Sequence, residues 1–438
     1  MGGTPPHWAT PCYCVDLVSA TKSDVPRAMT GWAQKLGPGL LFAASAVGVS
    51  HLVQSTRAGA DFGITMAILI VLACVIKYPA FRYGAEYAAS AKESVVAAYA
   101  RQGRWLLVVF LIAIAVEGLA VIPAVSLVTA GLTMNLLGVS ANDVAVTMAI
   151  IAACSVGLVF GRYKLLERVS AVFVVLFAVL TVVATVASLG ALDAGRVAAP
   201  FALNRDNLFF AVAVAGWMPV GMGGAVFISL WVRAKSEMLG RPITVREARF
   251  DFDLAYAGTL LLALCFLLMG TALMFGRGMT LAANSGKFAG DLVTLFTASV
   301  GSWIRPIIGV AALAVMFSTV LAVIDGFPRV YADTTKRLLG PVMRLGDGHL
   351  YLAFIVVQGL VAFVLLHYLL SSFGVFIDFA TTAGFVSAPV IAILNHRIIS
   401  STAVAPEDRP PSWLRIWSAT GCLVLTGASL SYLYFRFA

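Results

Sequence analysis

Long apolar segments separated by short charged loops dominate the chain. A helix needs about 20 residues to cross the roughly 30 Å hydrocarbon core of a bilayer, and eleven segments reach about that length. They do not alternate apolar and polar residues as membrane β-strands do, so the pattern predicts an all-α membrane protein with eleven spans. The boundary residues of the predicted spans are Lys35 and Arg57, Asp61 and Arg82, Arg104 and Asp143, Asp143 and Arg162, Arg168 and Asp193, Asp206 and Arg233, Asp253 and Arg277, Arg305 and Asp325, His349 and Leu370, Ser372 and Asn395, and Arg415 and Arg436.

Few ionisable residues interrupt these spans. Glu117 lies inside the third span and Asp378 early in the tenth, whereas Lys77 is placed near the end of the second. Because an ionisable side chain in the membrane is costly and commonly functional, we predict that Glu117 carries a coupling proton. Asp378 is a second candidate for an ion path. A structural hydrogen bond is the alternative for each.

Composition agrees with this class. The 438 residues are 60% hydrophobic and only 12% charged, with a mean hydropathy of +0.93; a soluble chain carries roughly twice that charged fraction. The net charge of +9 is spread over short loops, so a nucleic-acid partner is not expected. The chain has no phosphate-binding loop, catalytic triad or HExxH motif, and an enzyme is therefore not predicted. Cys12 and Cys14 form an isolated pair to which we assign no role.

Loop charges predict the orientation in the membrane. Most of the 30 Lys and Arg residues fall in loops on the same side as the N-terminal tail, residues 1–35. The positive-inside rule therefore places this tail in the cytoplasm and the C-terminus outside, in a bacterial-type plasma membrane. The bilayer is the expected partner, and a monomer is compatible with the sequence.

Two spans contain sequence that a continuous helix avoids. The first contains Gly48 next to Val49 and Ser50, and the sixth contains Pro219, Gly221, Gly223 and Gly224. These spans hold corresponding places in two five-helix halves, 36–190 and 207–396, which segment 412–436 follows. Matched interruptions of this kind indicate an inverted-repeat transporter with its substrate site at the breaks. The alternative is that these glycines merely allow close packing.

The motifs around both breaks resemble those of the Nramp metal-ion transporters. The stretch 37–63, GPGLLFAASAVGVSHLVQSTRAGADFG, is similar to the first helix of that family, and 215–219, AGWMP, to the A-x-x-M-P of its sixth. Residues 161–168, GRYKLLER, resemble its inner loop before helix five. The resemblance covers residues 30–435. It implies a LeuT-type fold and proton-coupled import of a divalent metal ion, with no resident cofactor.

The site that the resemblance implies is altered here. The family's D-P-G-N at the first break corresponds to residues 48–51, so Gly48 replaces its Asp and His51 its Asn. Ala215 and Met218 match two metal ligands of helix six, whereas Val220 stands at a family histidine. Of the acid pair in helix three only Glu117 remains. The predicted substrate or metal site is therefore Gly48, Ser50, His51, Ala215 and Met218.

Three functions remain open at this point. A soft, neutral donor set of imidazole, thioether and carbonyl suits a transition metal but lacks the charge of a carboxylate. Half-helix N-termini with no carboxylate nearby would instead suit an anion or a carboxylate-bearing solute. A membrane receptor without transport activity is the third possibility.

Overall fold

The fold is built from helices joined by short connections. A computed structural model describes residues 37–159, 163–193, 195, 197–277, 285–340, 345–370 and 372–437. Within these ranges the only bridge between extended segments joins Gly63 to Ala198, outside any strand, which confirms the all-α prediction. The helices are α1 (Pro38–Ala46), a π-helix (Ser50–Ser55), α2 (Thr56–Phe62), α3 (Met66–Ala91), α4 (Val95–Gln102), α5 (Arg104–Leu137), α6 (Asp143–Val159), α7 (Tyr163–Ser188), α8 (Arg205–Gly216), α9 (Gly223–Leu239), α10 (Val245–Leu273), α11 (Ser285–Val300), α12 (Arg305–Leu339), α13 (Asp347–Leu369), α14 (Phe373–Ile398) and α15 (Ser412–Phe437).

These helices occupy the places of the eleven predicted spans. In the described ranges, eight helices are long and apolar enough to cross a bilayer, or nine if Pro38–Ala46 and Ser50–Phe62 count as one bent span. The 17-residue helix α6 is shorter, and α8 and α9 form the two halves of the sixth span. Spans 1 to 11 are therefore α1 with α2, α3, α5, α6, α7, α8 with α9, α10, α12, α13, α14 and α15. Both predicted helix breaks are present.

Two helices that the pattern did not predict lie between spans. Helix α4 follows span 2 and begins at Ser94, whose hydroxyl accepts a hydrogen bond from the Ala97 amide. Its eight residues are too few to cross a membrane. Helix α11 has 16 residues and lies between spans 7 and 8. Neither helix reaches the length of about 20 apolar residues that predicts a membrane span.

Several predicted span limits lie inside longer helices, as the ends of spans 2 and 8 show. Span 2 continues past Arg82 to Ala91, and span 8 continues past Asp325 to Leu339. In both cases the charged residue pairs with a partner one turn further along: Arg82 with Glu86 at 2.8 Å and Asp325 with Arg329 at 2.7 Å. A charge satisfied within the helix does not need to end it. Lys77 therefore lies in the middle of span 2.

Apolar side chains face outward as a lipid-exposed chain requires. Large hydrophobic residues stay exposed on the outer helices, among them Ile68, Ile112, Val356 and Leu423. Inside, spans 1 and 7 approach so closely that a Cβ on Gly59 would overlap the backbone of span 7, and one on Gly270 the backbone of span 1. Small residues of this kind allow membrane helices to pack without side chains between them. The boundaries of the two predicted repeats and the orientation stay predictions.

Candidate binding site at the breaks of spans 1 and 6

Span 1 is interrupted halfway along its length. Helix α1 ends at Ala46, the π-helix begins at Ser50, and the two halves are bent by 48°. The Ser50 hydroxyl lies within hydrogen-bond distance of the Ala46 carbonyl, at 3.0 Å, and of the Pro219 carbonyl, at 3.1 Å. The chain's own hydroxyl can therefore satisfy a carbonyl left free by the break, and it joins this break to the one in span 6.

Gly48 is also a packing contact. A Cβ built on this residue would lie 3.3 Å from Cγ2 of Thr319 in span 8. A side chain at this position would require the Thr319 side chain to move by a few tenths of an ångström. The absence of a carboxylate here therefore coincides with a close approach of span 8 to the break.

The break in span 6 exposes two helix ends. Helix α8 ends at Gly216 and α9 begins at Gly223, and the peptide between Met218 and Pro219 is cis. A helix end leaves carbonyls or amides without partners inside the helix. The Gly224 and Ala225 amides at the start of α9 donate to the carbonyls of Gly221 and Met222 within the span, and side chains from other spans contact the rest of the two ends.

Lys77 of span 2 satisfies the carbonyl end. Its ammonium Nζ donates to the carbonyls of Ala215 and Gly216, at 2.6 and 2.7 Å. The side chain is 0% exposed. The positive charge thus lies at the end of a half-helix where the helix dipole is negative.

Glu117 of span 3 satisfies the amide end. Its two carboxylate oxygens accept from the Gly223 amide at 2.9 and 3.1 Å, and Ser387 Oγ lies 3.4 Å from one of them. The residue is 2% exposed. Gly221 allows this approach, because a Cβ there would collide with the carboxylate. The carboxylate thus lies where the helix dipole is positive.

A small cavity lies between the two breaks. Its volume is about 40 Å³, and its walls come from spans 1, 3, 6 and 8. Most of the lining is apolar; the residues with polar side-chain atoms are Ser45, Ser50, Glu117, Trp217 and Thr319. Trp217 Nε1 is buried without a hydrogen-bond partner in the described part of the chain. The cavity wall therefore contains one carboxylate and three hydroxyls, which donate to the carbonyls of their own or neighbouring helices and keep lone pairs for a small cargo. The unpaired indole nitrogen lies against Gly384 of span 10.

Of the five predicted binding residues, one lines the cavity. Ser50 lines the cavity, whereas Gly48, His51, Ala215 and Met218 are not among its lining residues. His51 is fully buried, with Nε2 donating to the Thr259 carbonyl at 2.9 Å and Nδ1 at 2.8 Å from Ser50 Oγ. Both of its ring nitrogens therefore have partners within the protein.

Two further predicted ligands also have partners. The Ala215 carbonyl accepts from Lys77, and the Met218 sulfur lies 3.9 Å from the Ser55 hydroxyl. Among the residues that the structure describes, no group of three or more His, Cys, Asp and Glu side chains could hold a metal ion. The roles assigned to these residues stay predictions.

Asp378 lies outside the cavity, where it links three spans. Arg57 donates to both of its carboxylate oxygens, at 2.7 and 3.1 Å, and Gln54 donates to one at 2.9 Å. The Arg57 guanidinium also lies 4.9 Å from the centre of the Phe210 ring in span 6. These contacts connect the second half of span 1 to spans 6 and 10.

A second link holds the first half of span 1. The Asp251 carboxylate of span 7 accepts from the amides of Gly37 and Gly39, at 3.3 and 2.6 Å. A carboxylate at a helix N-terminus satisfies free amides and opposes the dipole. Each half of span 1 therefore has its own polar attachment to a neighbouring span.

Sequence reasoning did not identify Lys77, Arg57 and Asp251 as parts of these networks. A signal for Lys77 was available, because an ionisable residue inside an apolar span indicates function by default. Lys77 was not recognised because the predicted span ended at Arg82, which placed Lys77 near the end of the span. The partners of Arg57 and Asp251 are more than 200 positions away in the chain, so no local pattern indicates them.

Some predictions concern residues outside the described ranges. The N-terminal tail with Cys12 and Cys14 is one, and residues 161–162 are another. They stay predictions. The rest of the predicted loop 161–168 is helical, because α7 begins at Tyr163.

Comparisons with known proteins support the fold. No protein-family model matches the sequence. The chain is 31% identical over 405 residues to the "Uncharacterized protein PM0681" of Pasteurella multocida, and the match covers 91% of each chain. The crystal structure of a manganese transporter from Eremococcus coleocola, in complex with an aromatic bis-isothiourea substituted compound, is similar with a TM-score of 0.63 at 14% identity. It covers 93% of this chain and 88% of that one.

A second solved structure has the same architecture. Mhp1, a nucleobase-cation-symport-1 family transporter with bromovinylhydantoin bound, gives a TM-score of 0.54 at 14% identity, covering 91% of this chain and 92% of its own. These likenesses confirm the predicted LeuT-type fold. At this level of identity they establish the fold alone, and the resemblance to Nramp sequences is not confirmed by a family match.

Proposed function

The chain belongs to the family of the Pasteurella multocida protein PM0681, and we propose that it is a secondary transporter. Its cargo is a small polar solute without net charge, either uncharged or zwitterionic, held between the breaks of spans 1 and 6. The observation that carries the proposal is that Lys77 and Glu117 occupy the two open ends of span 6.

Charge balance favours this cargo. Lys77 and Glu117 together contribute no net charge, whether both are ionised or both are neutral. A charge added to a site of low dielectric must be compensated, because the interaction of charges there is several times stronger than in water. A cargo without net charge leaves this balance intact, whereas a bare cation or anion disturbs it.

The lining of the cavity favours a small polar molecule. One carboxylate, three hydroxyls and the free Trp217 indole are set in an otherwise apolar wall. Ligand sites of this composition use a few polar groups to orient a cargo and apolar contacts to hold it. The LeuT-type fold accommodates such a cargo in Mhp1, which holds a hydantoin.

Glu117 is the candidate coupling residue. It is the one carboxylate among the described residues that line the cavity, and it contacts both the half-helix α9 and Ser387 of span 10. Adding a proton there changes the charge of the site by one unit and weakens the attraction to the Gly223 amide. Proton binding is thereby linked to the break at which the cargo lies.

Access to the cavity is controlled by span 1 in this proposal. Its outer half is attached through Arg57 and Asp378, and its inner half through Asp251. Releasing one attachment frees one half to move while the other stays fixed. This is how two small polar contacts allow access from alternate sides.

A divalent metal ion carried with protons is the second candidate. The Glu117 carboxylate beside the hydroxyls of Ser45, Ser50 and Thr319 favours it, because oxygen donors of this kind bind divalent cations. The manganese transporter of Eremococcus coleocola has the same fold. An anion is less suitable, because the Glu117 carboxylate already occupies the amide end that would attract it.

Uptake into proteoliposomes tests the proposal. We use labelled uracil, a mixture of neutral amino acids, and Mn²⁺ as probes, with an inward proton gradient. We expect uptake of an uncharged or zwitterionic probe that falls at least tenfold in Glu117→Gln. The exposed control variant Glu407→Gln should retain uptake. Uptake of Mn²⁺ without any organic probe would replace the proposal with the metal candidate.

A further inference from the structure

The buried Lys77 has a role that the choice of cargo alone does not explain. Its ammonium contacts two successive carbonyls at the end of α8, and it is completely excluded from solvent. Long basic side chains in membrane helices ordinarily extend toward the interface. Lys77 instead points inward, at the middle of the bundle.

The two carbonyls form the kind of end that attracts a free cation. The last carbonyls of a helix have no partner in the helix, and the dipole makes this end negative. In transporters with discontinuous helices, such unwound carbonyls and half-helix ends coordinate Na⁺ or H⁺. Here the ammonium fills that position from within the protein.

Span 2 presents this ammonium from a fixed position. Gly84, two turns beyond Lys77, lies so close to the second half of span 6 that a Cβ would collide with the Ala225 carbonyl. Span 2 thus packs against α9 through Gly84 and satisfies the end of α8 through Lys77. One helix therefore contacts both halves of the broken span.

We infer that Lys77 is a tethered cation, which permanently occupies the carbonyl end where a dissociable Na⁺ or metal ion would otherwise bind. It is therefore a residue that determines ion specificity, and the protein needs no free cation at this position. The inference rests on the proposed function in taking this break as the cargo site.

Melting temperatures of the purified full-length protein in detergent test this inference. The salts are the chlorides of choline, Na⁺, methylammonium and Mn²⁺ at equal ionic strength. The variants are Lys77→Ala, which leaves space for a small cation, Lys77→Met, which fills that space without charge, and the exposed control Lys92→Ala. We expect wild type and Lys92→Ala to melt at the same temperature in all four salts.

The two Lys77 variants should differ from wild type and from each other. Lys77→Ala should melt lower in choline and regain stability in Na⁺ or methylammonium, whereas Lys77→Met should melt lower in every salt. Recovery of folded Lys77→Ala only when methylammonium is present during purification would support the inference equally.

Three results would overturn it. The first is a higher melting temperature of wild type in Na⁺, methylammonium or Mn²⁺ than in choline. The second is a Lys77→Met variant that melts at the wild-type temperature in choline, and the third is a folded Lys77→Ala variant whose melting temperature is the same in all four salts. The wild-type measurement decides the matter even if neither variant folds. It is also independent of the uptake experiment. If the melting temperature of wild type is the same in all salts but the protein takes up no organic probe, the proposed function is refuted and the inference about Lys77 is not.

Discussion

The two helix breaks differ in their chemistry. In span 1 the interruption is satisfied locally by Ser50, and Gly48 is covered by Thr319. In span 6 both open ends depend on charged side chains from two other spans, Lys77 and Glu117. The contacts at the first break come from neutral groups of span 1 and its neighbours, and those at the second from charged side chains.

This difference shows where ion and cargo chemistry can be tuned. Changing a neutral break alters packing and single hydrogen bonds, each of which contributes about 1 kcal/mol. Changing a charged break alters a balance inside a low-dielectric medium, where each unpaired group costs more. We therefore expect span 6 to control selectivity and span 1 to control movement.

Removing either charge at span 6 has the largest expected effect. Breaking a buried charge arrangement by removing one partner costs about 3–5 kcal/mol, and we expect losses of this order in Glu117→Gln and Lys77→Met. The double variant restores neutrality, so its loss should be smaller than the sum by about 0.5–3 kcal/mol. Chemical denaturation in detergent measures all three. Strict additivity would show that the two charges do not balance one another.

Adding a methyl group at each break gives a matched comparison. Gly221→Ala places a Cβ against the Glu117 carboxylate, and Gly48→Ala places one 3.3 Å from Thr319 Cγ2. Overpacking costs about 1–3 kcal/mol, and we expect Gly221→Ala at the upper end of this range and Gly48→Ala at the lower. Thr319→Ser should relieve the second substitution and not the first. Equal losses at both glycines would contradict the distinction between the breaks.

Releasing the Arg57 attachment should open the cavity. Asp378→Asn removes the ion pair at 2.7 Å that joins spans 1 and 10. A shift of about 1 kcal/mol changes the open population roughly fivefold. We expect labelling of a Ser45→Cys variant, lacking Cys12 and Cys14, by an impermeant thiol reagent to rise by this factor. The exposed variant Glu407→Gln is the control, and an unchanged labelling rate in Asp378→Asn would assign the pair a purely structural role.

Removing the hydroxyl at span 1 has the smallest expected effect. Ser50→Ala loses the single hydrogen bond that the hydroxyl can donate among its three nearby acceptors, and we expect a loss of about 0.5–1.5 kcal/mol. Unfolding in detergent measures it beside Ser401→Ala, at a partly exposed loop position. A loss as large as that of Lys77→Met would contradict the view that the break in span 1 depends on neutral hydrogen bonds.

Apolar length, loop charge and the Gly and Pro positions were sufficient to predict the class and the breaks. The broken first span follows from Gly48 and the sixth from Pro219 with Gly223, because these residues weaken helices wherever they stand. Glu117 was recognised because a lone carboxylate in an apolar run is costly. Asp378 was recognised for the same reason, although it forms a link to Arg57 outside the cavity.

The composition of the site could not be predicted from the sequence. Ala215 matched a metal ligand of a known family, but its carbonyl accepts from Lys77, 138 positions earlier in the chain. His51 matched another, but its ring nitrogens face Thr259 and Ser50. A motif specifies which chemical groups a position carries. It does not specify which side chain from another span forms hydrogen bonds with them.

The sequence by itself determined how often the chain crosses the membrane and where two crossings are interrupted, because hydrophobic length and backbone propensity are local properties. Only the tertiary structure decided which charges meet at the interruptions. Lys77 and Glu117 come from different helices, and their approach to span 6 depends on close packing at Gly84 and Gly221 that no single segment encodes.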